Sequence, residues 1–511
     1  MTRPNILWIC TDQQRSDSLG CYGNPIVRTP NIDAIAKQGV RFNRHITPMQ
    51  ICSPSRATMA TGLYPRNHQL ITNGMALPES VPTLMTMLTQ GGYRTHGVGK
   101  QHLQPILAPA ELNMPDSRAF WDKAESKQWT GPYYGYQTLD LMLGESDTAH
   151  LAGHYANWLK QHHPDAVDLL KPESARQAPP QDLDEIWRSA MPVECHYNSR
   201  ISDQSANFIE SQASQDDPFF LFVSYPDPHH PFDPPAEYAD RYNPATIPLP
   251  EIGDNEMQER PPYCDKLFPH GEGFRKLYWM ANEGAEAGSM ISTEAVSDES
   301  MKTAIAYTYG MIEMIDDGVG RILDTLKRGG FANNTIVIFT TDHGEYLGDH
   351  GLLHKGPASY RQLTEVSMLM SGPGIGSGLE VNSLTSHIDF MPTLLEMTDT
   401  LAENTSLDGL SLTPLLSGAK QSIRDYAFGE YHPTVRTDLY NQSVYTNQWR
   451  YTIYPELPQW GELFDLKNDP SERYNLIFKP GVEPIKRELG EILAREFPPQ
   501  PGVENKVLCK W

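Results

Sequence analysis

The densest cluster of chemistry-bearing residues is Cys52-Ser53-Pro54-Ser55-Arg56, continued by Ala57-Thr58-Met59-Ala60-Thr61-Gly62. Ser53 is a good helix N-cap, Pro54 suits the first helical position and Gly62 suits the stop, so a short helix is predicted with Cys52 at its amino end. An anion beside Cys52 would meet backbone N–H groups and the positive end of the helix dipole. Arg56, one turn further on, adds a guanidinium on the same side. Alone, such a cysteine is ordinarily an inert buried thiol, and such an arginine a surface ion-pair partner. Other motifs change the weighing. Asp12-Gln13 and Asp342-His343-Gly344 offer carboxylates, an amide oxygen and an imidazole, a set suited to calcium, magnesium or manganese. Lys100-Gln101-His102 and Pro228-His229-His230-Pro231-Phe232 offer cations and imidazoles, the groups that bind anions and move protons. Each has a plainer reading as well, since Asp and Gly close turns and flanking prolines stiffen loops.

Four apolar runs place these residues: Ile6 to Cys10 before Asp12, Thr95 to Gly99 before Lys100, Phe219 to Val223 before His229, and Ile336 to Phe339 before Asp342. Continuous apolar runs suit strands buried on both faces of a parallel sheet. Helices are predicted between them over Thr29 to Gly39, Val81 to Gly91 and Asp298 to Lys327, the last capped by Gly329-Gly330. Strands alternating with helices give an α/β fold, whose ligands sit beyond the carboxyl ends of the strands. Four such ends carry Asp12, Lys100 with His102, His229, and Asp342 with His343. The stretch from about Pro105 to Pro192 lacks periodicity and holds Trp121, Trp129, Tyr133, Tyr134, Tyr136, Trp158 and Trp187. It reads as a long insertion near the site, its aromatics either stacking on sugar rings or packing on one another. A second irregular stretch runs from about Pro244 to Ser297. Past Arg424, runs such as Arg450 to Tyr454 and Glu462 to Leu466 read as a small antiparallel sheet. The expected division is a catalytic α/β domain over 1–424 and an α+β subdomain over 425–511.

With 511 residues the chain can bury a large core, and its composition is that of a folded globular protein. A formal charge of -23 excludes nucleic acid or an anionic membrane as the main partner, and demands that any anion site carry its own local cations. No apolar run is long enough for a transmembrane helix, and no leader pattern follows Met1, so a cytoplasmic location is expected. The six cysteines (Cys10, Cys21, Cys52, Cys195, Cys264 and Cys509) lack paired spacing and are expected to be mostly free thiols. The sequence does not specify an oligomeric state.

Cys-x-Pro-Ser-Arg, with Thr61-Gly62 following, resembles the sulfatase signature at which the cysteine is oxidised to formylglycine; Ala60, where Leu is common, is the one departure. Asp342-His343-Gly344 is similar to the family's second metal-ligand segment, and Pro228-His229-His230-Pro231-Phe232 to its Pro-His-x-Pro-Phe pattern, which selects His229 over His230. Lys100-Gln101-His102 resembles the Gly-Lys-x-His segment, and Lys355, after Gly348 to His354, the last catalytic lysine. Glu462 to Leu466 and Asp469-Pro470-Ser471-Glu472 resemble a recurrent C-terminal element.

The resemblance implies an alkaline-phosphatase-like sandwich, a large mostly parallel sheet covered by helices, with a small C-terminal antiparallel sheet. It implies a sulfuric ester hydrolase with Cys52, Arg56, Lys100, His102, His229 and Lys355 catalytic, and one divalent metal on Asp12, Gln13, Cys52, Asp342 and His343, calcium first, with manganese or magnesium open. Gln13 stands where many sulfatases have a second Asp, while phosphonate monoester hydrolases of the superfamily also carry Gln. In the implied mechanism one hydroxyl of the hydrated aldehyde attacks sulfur, Lys355 and His229 assist the leaving oxygen, and loss of the other hydroxyl's proton to His102 expels sulfate. The expected partners are a small anionic ester, a sulfated mono- or oligosaccharide first, and a formylglycine-generating maturation enzyme. Two alternatives stand beside this: a phosphonate monoester or phosphodiester hydrolase, and a binding protein that holds a sulfated sugar without cleaving it. Tyr431, His432 and Arg436 are placed at the border of the pocket.

Overall fold

The computed structural model describes residues 3–253, 256, 291–401, 405–433, 439–500 and 502–509. Arg436, Cys264 and most of the second irregular stretch lie outside the described residues. The strands are β1 (Asn5–Thr11), β2 (Val40–Ile46), β3 (Arg94–Gly99), β4 (Thr138–Leu141), β5 (Phe219–Ser224), β6 (Ile291–Ser292), β7 (Thr335–Thr341), β8 (Leu352–Leu353), β9 (Glu365–Ser371), β10 (Leu379–Val381), β11 (Thr385–Ser386), β12 (Ala427–Tyr431), β13 (Asn441–Tyr445), β14 (Trp449–Ile453) and β15 (Gly461–Asp465). The main helices are α1 (Pro30–Gln38), α2 (Cys52–Thr61), α3 (Leu84–Gln90), α4 (Gly153–His162), α5 (Tyr197–Ser211), α6 (Asp298–Arg328), α7 (Phe390–Met397) and α8 (Glu483–Glu496).

The large sheet runs β10-β2-β9-β7-β1-β5-β3-β4, with β11 also paired to β2. All its pairs are parallel except those of β9, which is antiparallel to β2 and β7. The sequence of β1 shows why it is central. Ile6, Trp8 and Cys10 face one core with Ala57, Leu88 and Phe390 of the covering helices, while Leu7 and Ile9 face the other with Ile35, Ile201 and Ile315. Burying each such side chain contributes about 1.5–3 kcal/mol, so the helices are held on both faces by alternation along one strand. The four strands predicted from apolar runs are all present, as are the three helices with end shifts of a few residues. The predicted cap of α2 is corrected: the helix starts at Cys52 with Ile51 as N-cap, and the backbone N–H of Ser53 donates to Asn73 (3.2 Å).

The insertion is more ordered than its lack of periodicity implied. It supplies β4 at the sheet edge and helix α4, and its aromatics largely pack on one another. Trp121 lies edge-on to Phe120 and Trp129, and Trp187, Tyr133 and Tyr136 are buried. Packing is therefore the reading that the structure favours for these side chains. The C-terminal strands form the expected antiparallel sheet, β12-β13-β14-β15, covered by Leu489 and Leu493 of α8 and tied by buried Arg450 to Glu462 (2.7 Å) and Glu472 (2.5 Å). Among the described residues the cysteines are free, and no helix is long and apolar enough to cross a membrane.

One titrating group sits in the frame itself. His196 is the N-cap of α5, its Nδ1 accepting from the N–H of Asn198 (3.2 Å), and burial lowers its pKa to about 3 from 6.5. Below the unfolded value the unfolded chain takes up a proton that the folded chain refuses, so stability is lost as pH falls from 6.5 toward 3, by up to about 1.4 kcal/mol per unit. His196→Asn keeps a capping acceptor without titrating. Urea unfolding at about pH 7.5 and pH 5 is expected to show a smaller acid loss for the variant than for the wild type.

Candidate active site and metal centre

β7, β1, β5 and β3 are consecutive neighbours, so the turns that follow them open side by side over about 14 Å of sheet edge. This is why residues more than 300 positions apart in sequence meet there. Asp12 and Gln13 follow β1, Asp342 and His343 follow β7, His229 and His230 follow β5, and Lys100 and His102 follow β3. Gly99 permits the closeness: its φ is +91°, and a Cβ there would lie 1.9 Å from the carbonyl oxygen of Ser224 on β5. The amino end of α2 closes the group, anchored by the Ser55 hydroxyl donating to the Asp342 carbonyl (2.6 Å).

Asp12, Cys52, Asp342 and His343 each bring one ligand atom within 4.8 Å of the others, and all four are buried. Their orientations are fixed from behind. His343 Nδ1 donates to the Gly344 carbonyl (2.9 Å), which leaves the Nε2 lone pair facing Cys52 Sγ at 3.3 Å. Asp342 accepts from the backbone N–H groups of Gln13 (3.0 Å) and His343 (2.9 Å) on Oδ1 and from Arg56 Nε (2.8 Å) on Oδ2. Asp12 Oδ2 receives Lys100 Nζ (2.6 Å) and Arg56 Nη2 (3.2 Å). Burial opposes the Asp12 charge, yet Lys100 and Arg56 hold this carboxyl well below its ordinary range. Two carboxylates and an imidazole with a fixed lone pair suit a divalent cation.

Cys52 stands between this group and a second one. Lys355 Nζ lies 3.0 Å from Cys52 Sγ, 2.9 Å from His229 Nε2 and 2.5 Å from Gln13 Oε1. His229 Nδ1 donates to the His230 carbonyl (2.5 Å), so its Nε2 accepts from the lysine. Burial and the Lys355 charge keep His229 well below the ordinary imidazole range. His102, buried beyond Lys100, is lowered for the same reasons, by burial and by Lys100. Burial, reinforced by Asp12, pushes the Cys52 thiol up to about 12, so as a thiol it is a poor nucleophile at neutral pH. Gln13 and His102 both have positive φ, +60° and +57°, in keeping with strain gathered at a functional centre.

Three sequence readings change in the structure. Arg56 was aimed at the anion, but its guanidinium is engaged with Asp342, Asp12, the Lys100 carbonyl and the Ser224 hydroxyl, because two buried carboxylates need a buried cation. Gln13 turns its amide oxygen to Lys355 and its amide nitrogen to His230 and Glu345. Tyr431 packs on Met49 and Ile51 beneath Cys52, and His432 pairs with Glu430 (2.9 Å) rather than facing the site. Asp227 and Glu145 were missed. Asp227, raised to about 7 by burial, accepts from Tyr197 and Asn198, while its carbonyl accepts from Asp12. The Asp-Pro-His spacing could have flagged it, whereas nothing in the insertion marked Glu145, which bonds Lys100. Glu185, His230 and His354 also cluster within 4.8 Å. His230 Nδ1 accepts from the Gln13 amide (3.0 Å), and His354 Nε2 lies 2.7 Å from Glu185, so the trio forms a polar wall beside the site.

Gly344 tests the support of the metal group. A Cβ at this position would fall 1.8 Å from the Gln362 carbonyl oxygen, so Gly344→Ala must displace His343. Calorimetric titration is expected to show divalent-cation affinity reduced at least about tenfold with the far-ultraviolet dichroism retained.

The sequence profile of the family described as Sulfatase matches residues 4–400, and that described as N-sulphoglucosamine sulphohydrolase, C-terminal, matches residues 348–497. An arylsulfatase of Clostridium perfringens (strain 13 / Type A) is 27% identical, over 97% of this chain and 94% of its own length. The multifunctional alkaline phosphatase superfamily protein PehA of Trinickia caryophylli is 28% identical, over 96% of this chain and 94% of its own. The phosphonate monoester hydrolase of Agrobacterium radiobacter superposes with a TM-score of 0.76 at 27% identity, covering 96% of this chain and 95% of that one. With a family profile spanning most of the chain and a site of this composition at its sheet edge, the protein belongs to the sulfatase family of enzymes.

Proposed function

We propose that this enzyme hydrolyses a sulfate ester at Cys52 matured to formylglycine, beside a divalent cation held by Asp12, Asp342, His343 and position 52. The observation that carries this is the placement of position 52 between two unlike groups. On one side is His343 Nε2 at 3.3 Å with the two carboxylates, on the other Lys355 Nζ at 3.0 Å with His229 behind it. A hydrated formylglycine supplies two hydroxyls on one carbon, one to take the sulfuryl group and one whose deprotonation releases it, so no water need attack sulfur. The cation, when bound, supplies Lewis-acid charge to the anion and to the attacking oxygen.

The chain's own residues do the rest. Arg56 and Lys100 keep Asp12 ionised, and Lys100 presents an ammonium toward the ester anion. Lys355 stabilises and protonates the leaving oxygen, and His229, whose Nε2 accepts from it, orients that ammonium toward the reaction. His102, kept neutral by burial, accepts the proton of the second hydroxyl. Calcium is the cation proposed first, with manganese and magnesium as competitors, because the aldehyde hydrate would add oxygen ligands to the carboxylates. The substrate proposed is a small sulfated organic or carbohydrate ester, for which the N-sulphoglucosamine sulphohydrolase profile over residues 348–497 is the support. A maturation enzyme that converts Cys52 is the required partner.

The second reading is a phosphonate monoester or phosphodiester hydrolase. It is favoured by Gln13 in place of a carboxylate and by the likeness to the Agrobacterium radiobacter enzyme. Comparing kcat/KM on an aryl sulfate and on a phenyl phosphonate ester separates the two, and a preference of at least about tenfold for the sulfate is expected. A peptide spectrum over residue 52 should show the mass loss of thiol-to-aldehyde conversion, which a mere binding protein would not need. Cys52→Ala is expected to abolish turnover with the melting temperature kept within a few degrees. His229→Ala is expected to lower kcat by about 100- to 10,000-fold, measured in stopped assays with an aryl sulfate. Chelation of the cation should stop turnover without unfolding the protein, because Arg56 and Lys100 still pair both carboxylates. An aryl-sulfate assay alongside thermal melting in excess chelator reads both.

A further inference from the structure

Glu145 is a charged group at the site that the proposed reaction leaves without a role. It lies four residues beyond β4, the strand next to β3, at the same carboxyl edge of the sheet. Its carboxylate bonds Lys100 Nζ, which is bound on its other side to Asp12 at 2.6 Å. A capping box with Thr148 fixes its backbone, and the neighbouring Ser146 hydroxyl donates to buried Asp233 (2.6 Å). The Glu145 side chain keeps 13% of its surface exposed, whereas Asp12, Asp342, Arg56 and Lys100 keep 3% or less. It is thus the carboxylate of this group that faces outward, beside the ammonium that meets the ester anion.

Charge decides what such a carboxylate does. In the network of ion pairs and hydrogen bonds that links Asp12 to Lys355, from which the Asp227 carboxylate is set apart by its bonds to Tyr197 and Asn198, Asp12, Asp342, Glu145 and Glu345 carry one negative charge more than Arg56, Lys100 and Lys355 balance. A divalent cation turns that into a single positive charge. A singly charged ester neutralises it; a doubly charged phosphate monoester leaves the buried site with an excess negative charge, which is costly at low effective dielectric. We propose that Glu145 is a specificity-determining residue that matches the site to singly charged esters and excludes doubly charged phosphate monoesters. The inference rests on the reading that Lys100 meets the ester anion, and it deepens that reading from an anion to an anion of one charge.

The test uses the matured, metal-loaded full chain at about pH 8, where a phosphate monoester carries two charges. The probes are 4-nitrophenyl phosphate, methyl 4-nitrophenyl phosphate, which differs by one charge at the same phosphorus chemistry, and 4-nitrophenyl sulfate. The wild type is expected to favour the diester over the monoester in kcat/KM. Glu145→Gln, which keeps shape and removes charge, is expected to raise the monoester-to-diester ratio at least about tenfold. Glu145→Asp, which keeps charge and shortens the reach, should leave it within about threefold. A ratio that does not move in Glu145→Gln, or one that moves equally in Glu145→Asp, overturns the proposal. Because the ratio uses phosphorus esters alone, it remains readable if the sulfate preference itself fails, and that failure shows separately in the sulfate rate.

Discussion

Asp12 and Asp342 lie fully buried at adjacent strand ends, and the rest of the site is arranged around making that tolerable. Removing a carboxylate from water costs several kcal/mol, and two side by side repel each other as well. The chain answers with Arg56, whose guanidinium reaches Asp342, Asp12, a carbonyl and a hydroxyl at once, and with Lys100, which joins it on the same Asp12 oxygen. Arginine suits this because its planar donors serve several acceptors in fixed directions, which a lysine cannot. The helix that carries Arg56 also carries Cys52 one turn earlier, so the ion pairs that stabilise the carboxylates place the nucleophile position against them. Stability of the buried pair and placement of the reacting atom are one requirement.

The division of labour at position 52 follows. Ligand atoms crowd one side, proton-bearing groups the other, and burial leaves an unmodified thiol protonated between them. A protonated thiol serves neither group, whereas an oxygen nucleophile that gains from a cation on one side and a proton donor on the other fits both. The overall charge of -23 is then no obstacle to an anionic substrate. The field that matters is local: Arg56, Lys100 and Lys355 offset all but one of the four carboxylates around them, and the divalent cation proposed for the site would tip the balance to positive.

The ends of β1, β5 and β7 were legible in the sequence because these strands are buried on both faces, and a strand so buried writes an apolar run that stops where the chemistry starts, while β3, with Arg94 and His96 partly exposed, showed itself only through Gly97-Val98-Gly99. The Cys52 helix was legible from Pro54 and Gly62, although its first turn begins two residues earlier than Ser53 suggested, since Asn73 rather than a serine hydroxyl takes an amino-terminal N–H. The insertion was opaque for the opposite reason. β4 pairs on one side only and its neighbours are short turns stabilised by aromatic contacts from distant positions, so no local period reports them. Glu145 was hidden with it. The partners of Arg56 were not legible, because spacing gives the face of a helix but not what waits opposite.

Gln13 shows how one departure from a family pattern can be read physically. Its amide oxygen accepts from Lys355 at 2.5 Å, and its amide nitrogen donates to His230 at 3.0 Å and to Glu345. A carboxylate at this position could do the first and not the others, and it would meet Glu345 as a like charge in a buried setting. Glu345 in turn is the residue after Asp342-His343-Gly344 and accepts from the backbone of Leu347 (3.1 Å), so it helps to shape the turn that follows the metal group. Position 13 therefore needs a side chain with an acceptor and a donor in one plane. The glutamine is explained by its neighbours on both sides, independently of which ester the enzyme cleaves, and its presence weighs less for a phosphorus substrate than the motif alone suggests.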